Sequence, residues 1–299
     1  GALRAAPARV LCHRVALRPV SSPAPEPRFW SDRAPVLAAG ATHLWVCDLD
    51  RQHDPALLAA YRLVLDADEI QRMQRLVFER DRHRFLVSHA LLRCVLSLYD
   101  DRPPVDWRFL KGEHGKPGLV PAQRTCAPAF NLSHSGSLAL LAVSENAGLL
   151  GVDIEFHRPV RNFQGLATRN FAPSEAARLP GLEGAELAGE FYDLWTLKEA
   201  FVKARGDGLS QSLADFWFSF DRPAARLCFE AMPALEPESW RWAFWSYRLD
   251  GPYSAALARR DGGDTVHGEP CCFRAVPGVG WAPASVDCIL RGSSRITAN

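Results

Sequence analysis

Apolar positions in residues 191–210, FYDLWTLKEAFVKARGDGLS, recur at the spacing of a helix. Leu194, Leu197, Phe201 and Ala204 make one stripe, while Trp195, Glu199 and Lys203 fall at i, i+4 and i+8 on another face. Gly206 and Gly208 close the segment as a helix end should. A face carrying one large aromatic, one carboxylate and one amine is either a solvated face with an ordinary i,i+4 ion pair or one wall of a site.

The rest of the chain alternates between the two periods. Residues 43–49, HLWVCDL, have strand composition, and Asp54–Pro55 turns the chain. Asp66 and Glu69 form a capping-box pattern that opens a long helical stretch to about residue 99, with a break expected at Asp81. Leu76, Phe85, Leu86, Leu91, Leu92 and Val95 line its apolar side, and Arg72, Arg75, Arg80, Arg82 and Arg84 its basic side. That basic side reads as a solvated face or as a collar for phosphates. A short strand over 106–111 and a tight turn over 112–117 follow. Next come the polar run Asn131–Leu132–Ser133–His134–Ser135–Gly136 and the apolar run 138–143. Those hydroxyls and imidazole suit turn chemistry or hydrogen bonds to a phosphate.

Residues 144–148 read as a hairpin turn and 149–155, LLGVDIE, as the returning strand. With period two, Leu150, Val152 and Ile154 point into a core, and Gly151, Asp153 and Glu155 point the other way. Two carboxylates on one strand face repel unless a cation or a proton sits between them, and the glycine beside them leaves room for a ligand to approach the backbone. Residues 157–171 form a basic loop, Pro173 starts a helix, and 225–229, 240–248 and 253–259 read as an antiparallel meander. The tail from 262 has no clear period until 285–290.

Each half thus runs strand, helix, more strands, a weak internal repeat. The expected fold is α+β: two similar lobes in pseudo-twofold arrangement, each a small antiparallel sheet with a long helix, and a cleft between them. The expected division is an arm over 1–40, lobes over 41–144 and 145–261, and a tail over 262–299 with no assigned role. The arm is rich in Arg and Pro with no acid before Glu26, which resembles a transit peptide in composition, and it is expected to lie extended.

Composition narrows the chemistry. The 299 residues are 47% hydrophobic and 23% charged, a globular balance. A net charge of +1 disfavours a nucleic-acid binder driven by phosphate neutralisation, and no apolar run is long enough for a membrane helix. Eight cysteines without CxxC spacing suggest neither a zinc site nor a disulfide scaffold, so reduced thiols and a cytoplasmic location are expected. Asp153, Glu155 and Glu199 are hard oxygen ligands without a His or Cys set, which suits Mg²⁺, or Mn²⁺, over zinc. Lys203, Lys198, His134, Ser133, Arg84 and Lys116 are candidate phosphate partners, and no Walker loop is present.

At these residues the chain resembles a known family. GVDIE at 151–155 and WTLKEAFVKARGDGLS at 195–210 look like the two signature motifs of the 4′-phosphopantetheinyl transferase superfamily, GxDxE and WxxKEAxxK. GKP at 115–117 and FNLSHSG at 130–136 resemble accessory motifs of its larger, monomeric, surfactin-synthetase-activating type. The resemblance spans about 43–255 and implies transfer of the phosphopantetheine arm of coenzyme A to a serine of an apo acyl or peptidyl carrier protein, releasing 3′,5′-ADP. It implies that Asp153, Glu155 and Glu199 hold Mg²⁺, that Glu199 or a water it orients is the base, and that Lys203, with Lys198 nearby, meets the reacting phosphate. It further implies phosphate contacts from Ser133 and His134, an adenine-lining turn at Gly115, Lys116 and Pro117, and 3′-phosphate cations at Arg84, Arg72 and Arg75. A carrier docking face is expected at Arg158, Arg161 and Arg169 with Phe163 and Phe171. Two alternatives share these acids: a Mg²⁺-dependent nucleotide pyrophosphate hydrolase, and a catalytically silent paralogue that holds coenzyme A or a carrier.

Overall fold

The computed structural model describes residues 36–112, 115–124, 127–145, 147–208, 211–261 and 268–293. The expected arm therefore lies almost wholly outside the described residues, as do Glu113 and His114 of the tight turn and the Leu209–Ser210 end of the helical stretch. In chain order the elements are β1 (Thr42–Asp48), α1 (Pro55–Val64), α2 (Ala67–Gln74), α3 (Glu79–Tyr99), β2 (Phe109–Lys111), β3 (Pro117–Leu119), α4 (Pro121–Arg124), β4 (Ala129–Ser135) and β5 (Leu138–Ser144). There follow β6 (Ala147–Phe156), α5 (Phe163–Asn170), α6 (Pro173–Ala176), α7 (Gly184–Arg205), β7 (Phe216–Asp221), β8 (Arg226–Ala231), β9 (Trp242–Leu249), β10 (Tyr253–Asp261), β11 (Cys271–Val276), β12 (Gly280–Pro283) and β13 (Asp287–Ser293). Among the described residues no helix is long and apolar enough to cross a membrane.

The fold is α+β, with two main sheets ordered β12-β11-β1-β5-β4 and β6-β10-β9-β13-β8-β7. The sheets face each other across one apolar layer: Leu44, Val46, Leu138 and Leu140 from the first, and Leu150, Val152, Ile154, Trp245 and Leu257 from the second. On the outer face of the first sheet, Trp45, Leu141 and Val143 pack with Leu86, Leu91 and Val95 of α3. On the outer face of the second, Phe244, Ala256 and Ala258 pack with Leu194, Leu197, Phe201 and Ala204 of α7. Central strands are thus buried on both faces, which is why β5 reads as the unbroken apolar run LALLAVS, with every position buried.

Local signals explain the helix ends. Asp66 and Glu69 make the reciprocal capping box of α2. Asp54 accepts from Ala56 N and Pro55 takes the first turn of α1, so the expected turn is a helix start. The break in the long helical stretch falls at 75–78, not at Asp81, which lies in the first turn of α3 where a carboxylate suits the helix dipole. Gly206, at φ 82°, caps α7 in the left-handed conformation.

Three expectations are corrected by the sheet order. Strands β5 and β6 do not form a hairpin: β5 stays in the first sheet and β6 begins the second. The meander β8–β9–β10 is interrupted, because β13 inserts between β9 and β8. The tail is no appendage. Strand β11 pairs in parallel with β1, β12 extends the same sheet, and β13 pairs antiparallel with β9 and in parallel with β8. Each expected antiparallel sheet therefore holds one parallel pair, both made by the tail, which straps one lobe to the other. Deleting 268–299 strips an edge from β1 and opens the middle of the second sheet. The expected outcome is a loss of about 5 kcal/mol or more, comparable to the margin of a whole domain, read by circular dichroism as loss of cooperative unfolding.

Candidate active site

The site begins where β4 meets β6. Each ends its sheet, so neither has a strand partner on its outer side. Side chains of alternate β4 residues bridge the gap. Asn131 Oδ1 accepts from Val152 N at 2.8 Å, Ser133 Oγ donates to Asp153 Oδ1 at 2.9 Å, and Ser135 Oγ donates to Glu155 Oε2 at 2.7 Å. Period two selects residues 131, 133 and 135 for one face, as it selects Gly151, Asp153 and Glu155 on β6.

Helix α7 closes the site from the other side. A Cβ at Gly151 would stand 2.1 Å from Ala200 O and 2.4 Å from Ala204 N. The glycine therefore makes room for α7 itself, not for a ligand as expected from the sequence. This contact brings Lys203 Nζ to 2.6 Å from Asp153 Oδ1 and 2.8 Å from Ser133 Oγ. Lys116 ties the same region to the first lobe, donating to Leu150 O at 3.1 Å and Ala204 O at 2.8 Å. Burial lowers its pKa to about 8.

Three carboxylates share this corner. Burial raises Glu199, and the charges of Asp153 and Glu155 raise it further while Lys203 opposes them. Burial likewise raises Glu155, with Asp153 adding to the shift and Ser135 and Lys203 opposing it. Asp153 is 3% exposed, and its Oδ2 is buried without a hydrogen-bond partner. Among the described residues no three His, Cys, Asp or Glu groups already stand at the spacing of ligands to one ion, and Lys203 lies on Asp153. The residues nevertheless fit a divalent cation. An orphaned buried carboxylate oxygen and two carboxylates raised by burial, with neighbouring acids adding to the shift, are what a hard cation would relieve, and the donor set is all oxygen.

A cleft of about 750 Å³ lies alongside, lined by Arg80 and Arg84 of the first lobe, by His134, and by Glu155, Arg158, Tyr192 and Trp195 of the second. Arg84 is held in two hydrogen bonds by Asp50, Nε to Oδ1 at 2.8 Å and Nη2 to Oδ2 at 2.6 Å. That pairing lowers the Asp50 carboxyl below its usual range. His134 stands at the cleft wall, on the opposite β4 face from Ser133. Crowding by protein lowers its pKa, and Lys203, His89 and Arg84 lower it further, while Asp81 opposes them. Gly115, at φ 84°, turns the β2–β3 hairpin ahead of Pro117, the first residue of β3.

Several expected residues stand elsewhere. Lys198 is fully buried and cannot reach a phosphate in the cleft. Its ammonium meets Glu175 at 2.8 Å and the carbonyls of Leu213 and Phe216, both at 2.7 Å. The reason is helical: position 198 is turned about 100° from 199, into the second lobe's core. Arg72 and Arg75 do not line the cleft; Arg72 pairs with Asp68, and Arg75 is exposed at the end of α2. Arg80, one turn before Arg84, lines it instead. Phe163 and Phe171 are buried against Phe191, because the expected basic loop contains α5, capped by Asn162. Arg158, Arg161 and Arg169 are exposed. The Ser135 hydroxyl, expected in a turn or on a phosphate, instead bonds Glu155 and Phe156 N, and Asn131 bonds Val152 N; their parity with Ser133 on a strand was the available signal.

Acids suited to a metal, set beside a cleft with cations on both walls, define an enzyme that handles a phosphate-bearing substrate. A model described as the 4′-phosphopantetheinyl transferase superfamily matches residues 149–258, and one described as 4′-phosphopantetheinyl transferase, N-terminal, matches 53–146. The slr0495 protein of Synechocystis sp. is 39% identical over 170 residues, 57% of this chain and 67% of that one. The 4′-phosphopantetheinyl transferase HetI of Nostoc sp. is 34% identical over 184 residues, 61% of this chain and 76% of its own. Sfp of Bacillus subtilis, also named a 4′-phosphopantetheinyl transferase, is 32% identical over 157 residues, 51% and 65% of the two chains. A solved apo-ACPS structure from Chronobacterium ammoiniagenes aligns at 20% identity and a TM-score of 0.28 over 38% of this chain and 96% of that one, too distant to carry argument. The chain belongs to the 4′-phosphopantetheinyl transferase superfamily and is an enzyme of that kind.

Two substitutions separate packing from chemistry. Gly151→Ala drives a methyl group into the α7 backbone and is expected to destabilise by about 3 kcal/mol, at the upper end for overpacking, read as a lowered unfolding midpoint. Lys198→Ala leaves the buried Glu175 carboxylate without its cation, held only by the N–H groups of Ala172 and Phe218. It is expected to cost about 3–5 kcal/mol of stability while coenzyme A affinity of the folded protein, measured by calorimetry, stays unchanged.

Proposed function

We propose that this chain transfers the 4′-phosphopantetheine arm of coenzyme A to a serine of an apo acyl or peptidyl carrier protein, with Asp153, Glu155 and Glu199 as ligands of Mg²⁺, for which Mn²⁺ can substitute. The observation that carries the residue roles is the knot of Asp153, Ser133 and Lys203, which joins β6, β4 and α7 beside two carboxylates of raised pKa. The divalent ion, when bound, supplies charge neutralisation at the pyrophosphate. The attacking serine oxygen forms a bond to the phosphorus that bears pantetheine, and the bridging P–O bond breaks to release 3′,5′-ADP. Glu199, or a water it orients, takes the serine proton: its carboxylate has no hydrogen-bond partner among the described residues and stands beside Asp153, Glu155 and Lys203. Lys203, 32% exposed at its side chain, offers its ammonium to the oxygen that gains charge. Ser133 orients both Lys203 and Asp153. His134 and Arg84 read the 3′-phosphate from the cleft wall, with Arg80 in the place first expected of Arg72 and Arg75. The turn at Gly115, Lys116 and Pro117 borders the adenine, with the Lys116 ammonium already bound to backbone. Arg158, Arg161 and Arg169 meet an acidic carrier surface. The enzyme acts as a cytoplasmic monomer.

Intact-mass measurement of a panel of apo-carriers with coenzyme A and Mg²⁺ tests this reading. A mass gain of one phosphopantetheine is expected, and its loss on chelation with EDTA. Release of 3′,5′-ADP without a carrier would mark a hydrolase instead. Glu199→Gln is expected to lower the transfer rate by about 10²–10⁴-fold, the usual contribution of a positioned base. A rate within a few-fold of the parent would remove Glu199 from that role.

A further inference from the structure

The motif FNLSHSG contains a hydroxyl that the transfer reaction has not used. Ser135 is 8% exposed, at the end of β4. Its Oγ donates to Glu155 Oε2 at 2.7 Å and accepts from the backbone N–H of Phe156 at 3.1 Å. A serine has one proton, and the N–H of Phe156 occupies an acceptor position, so the orientation of that proton toward Glu155 is fixed. The β4 end is itself held: the N–H of Ser137 donates to Tyr253 Oη at 2.9 Å, and a Cβ at Gly136 would come within 2.4 Å of the same oxygen. Glu155 Oε1, by contrast, has no partner among the described residues, and Glu155 lines the cleft.

We propose that Ser135 is a positioning residue of the acidic site, holding Glu155 by one oxygen so that the other is presented to the divalent ion. The proposal rests on the reading of Asp153, Glu155 and Glu199 as ligands. Ser133 performs a related task for Asp153 but shares it with Lys203, whereas Ser135 is the sole side-chain donor found for Glu155 among the described residues. Hydrogen-bond partners that orient metal ligands set affinity as well as geometry.

The test is Mn²⁺ binding by the full chain in the presence of coenzyme A, read by electron paramagnetic resonance as loss of the free-ion signal. Ser135→Ala is expected to weaken Mn²⁺ binding by about tenfold, the lower end for such partners, and Ser135→Thr to restore it. In a Glu155→Gln background, Ser135→Ala is expected to add no further weakening, since the hydroxyl acts through that carboxylate. A merely structural serine, acting through Phe156, would instead give additive losses. Where Ser135→Ala does not fold, the comparison of Ser135→Thr with Ser135→Val, alike in shape and different in the hydroxyl, carries the same test. Weakening of less than about threefold, failure of Thr to restore binding, or additivity with Glu155→Gln overturns the proposal. If Glu155→Gln alone leaves Mn²⁺ binding unchanged, the ligand reading falls and Ser135 with it. If Glu155→Gln weakens binding and Ser135→Ala does not, only the positioning role falls.

Discussion

The molecule depends on how two unpaired sheet edges are joined. An outer edge strand carries backbone groups that need partners, and β4 and β6 both end their sheets at the same seam. Asn131 and Ser135 meet that need at the N–H groups of Val152 and Phe156 with side chains in place of a backbone ladder, and Ser133, between them, bonds the Asp153 carboxylate. Side-chain bridging leaves two acids of β6 facing α7, with hydroxyls already on them.

The second constraint is the absence of a side chain at Gly151. The backbone of α7 comes so close to β6 that only hydrogen fits, and this proximity lets Lys203 touch Asp153 and lets Glu199 feel both strand acids. Packing and chemistry are one problem here. The apolar stripe of Leu194, Leu197, Phe201 and Ala204 drives α7 onto the second sheet, and the residues between those positions are delivered to the seam as a consequence.

Much of this was legible in the sequence because it is local. Helical spacing separated Glu199 and Lys203 from the apolar stripe, and strand parity put Asp153 and Glu155 opposite Leu150, Val152 and Ile154. Other features depend on contacts between distant parts of the chain. Strands β11 and β13 find partners in β1, β8 and β9; only the period at 285–290 hints at β13, and nothing within the tail names those partners. Lys198 looked like a twin of Lys203, but five residues on a helix bring a different face round, and only the fold reveals Glu175 waiting in the core. Phe163 and Phe171 were hidden by the arginines around them. Helix α1 was missed although Asp54 and Pro55 give a clear start signal.

The most direct measurement of the central claim is anomalous diffraction from crystals of the chain with Mn²⁺ and coenzyme A. The account predicts one metal peak at the β4–β6 seam, within about 2.0–2.3 Å of oxygens from Asp153, Glu155 and Glu199, with the pyrophosphate completing the shell. A peak held by other residues, or a pyrophosphate bound away from the seam, would contradict it.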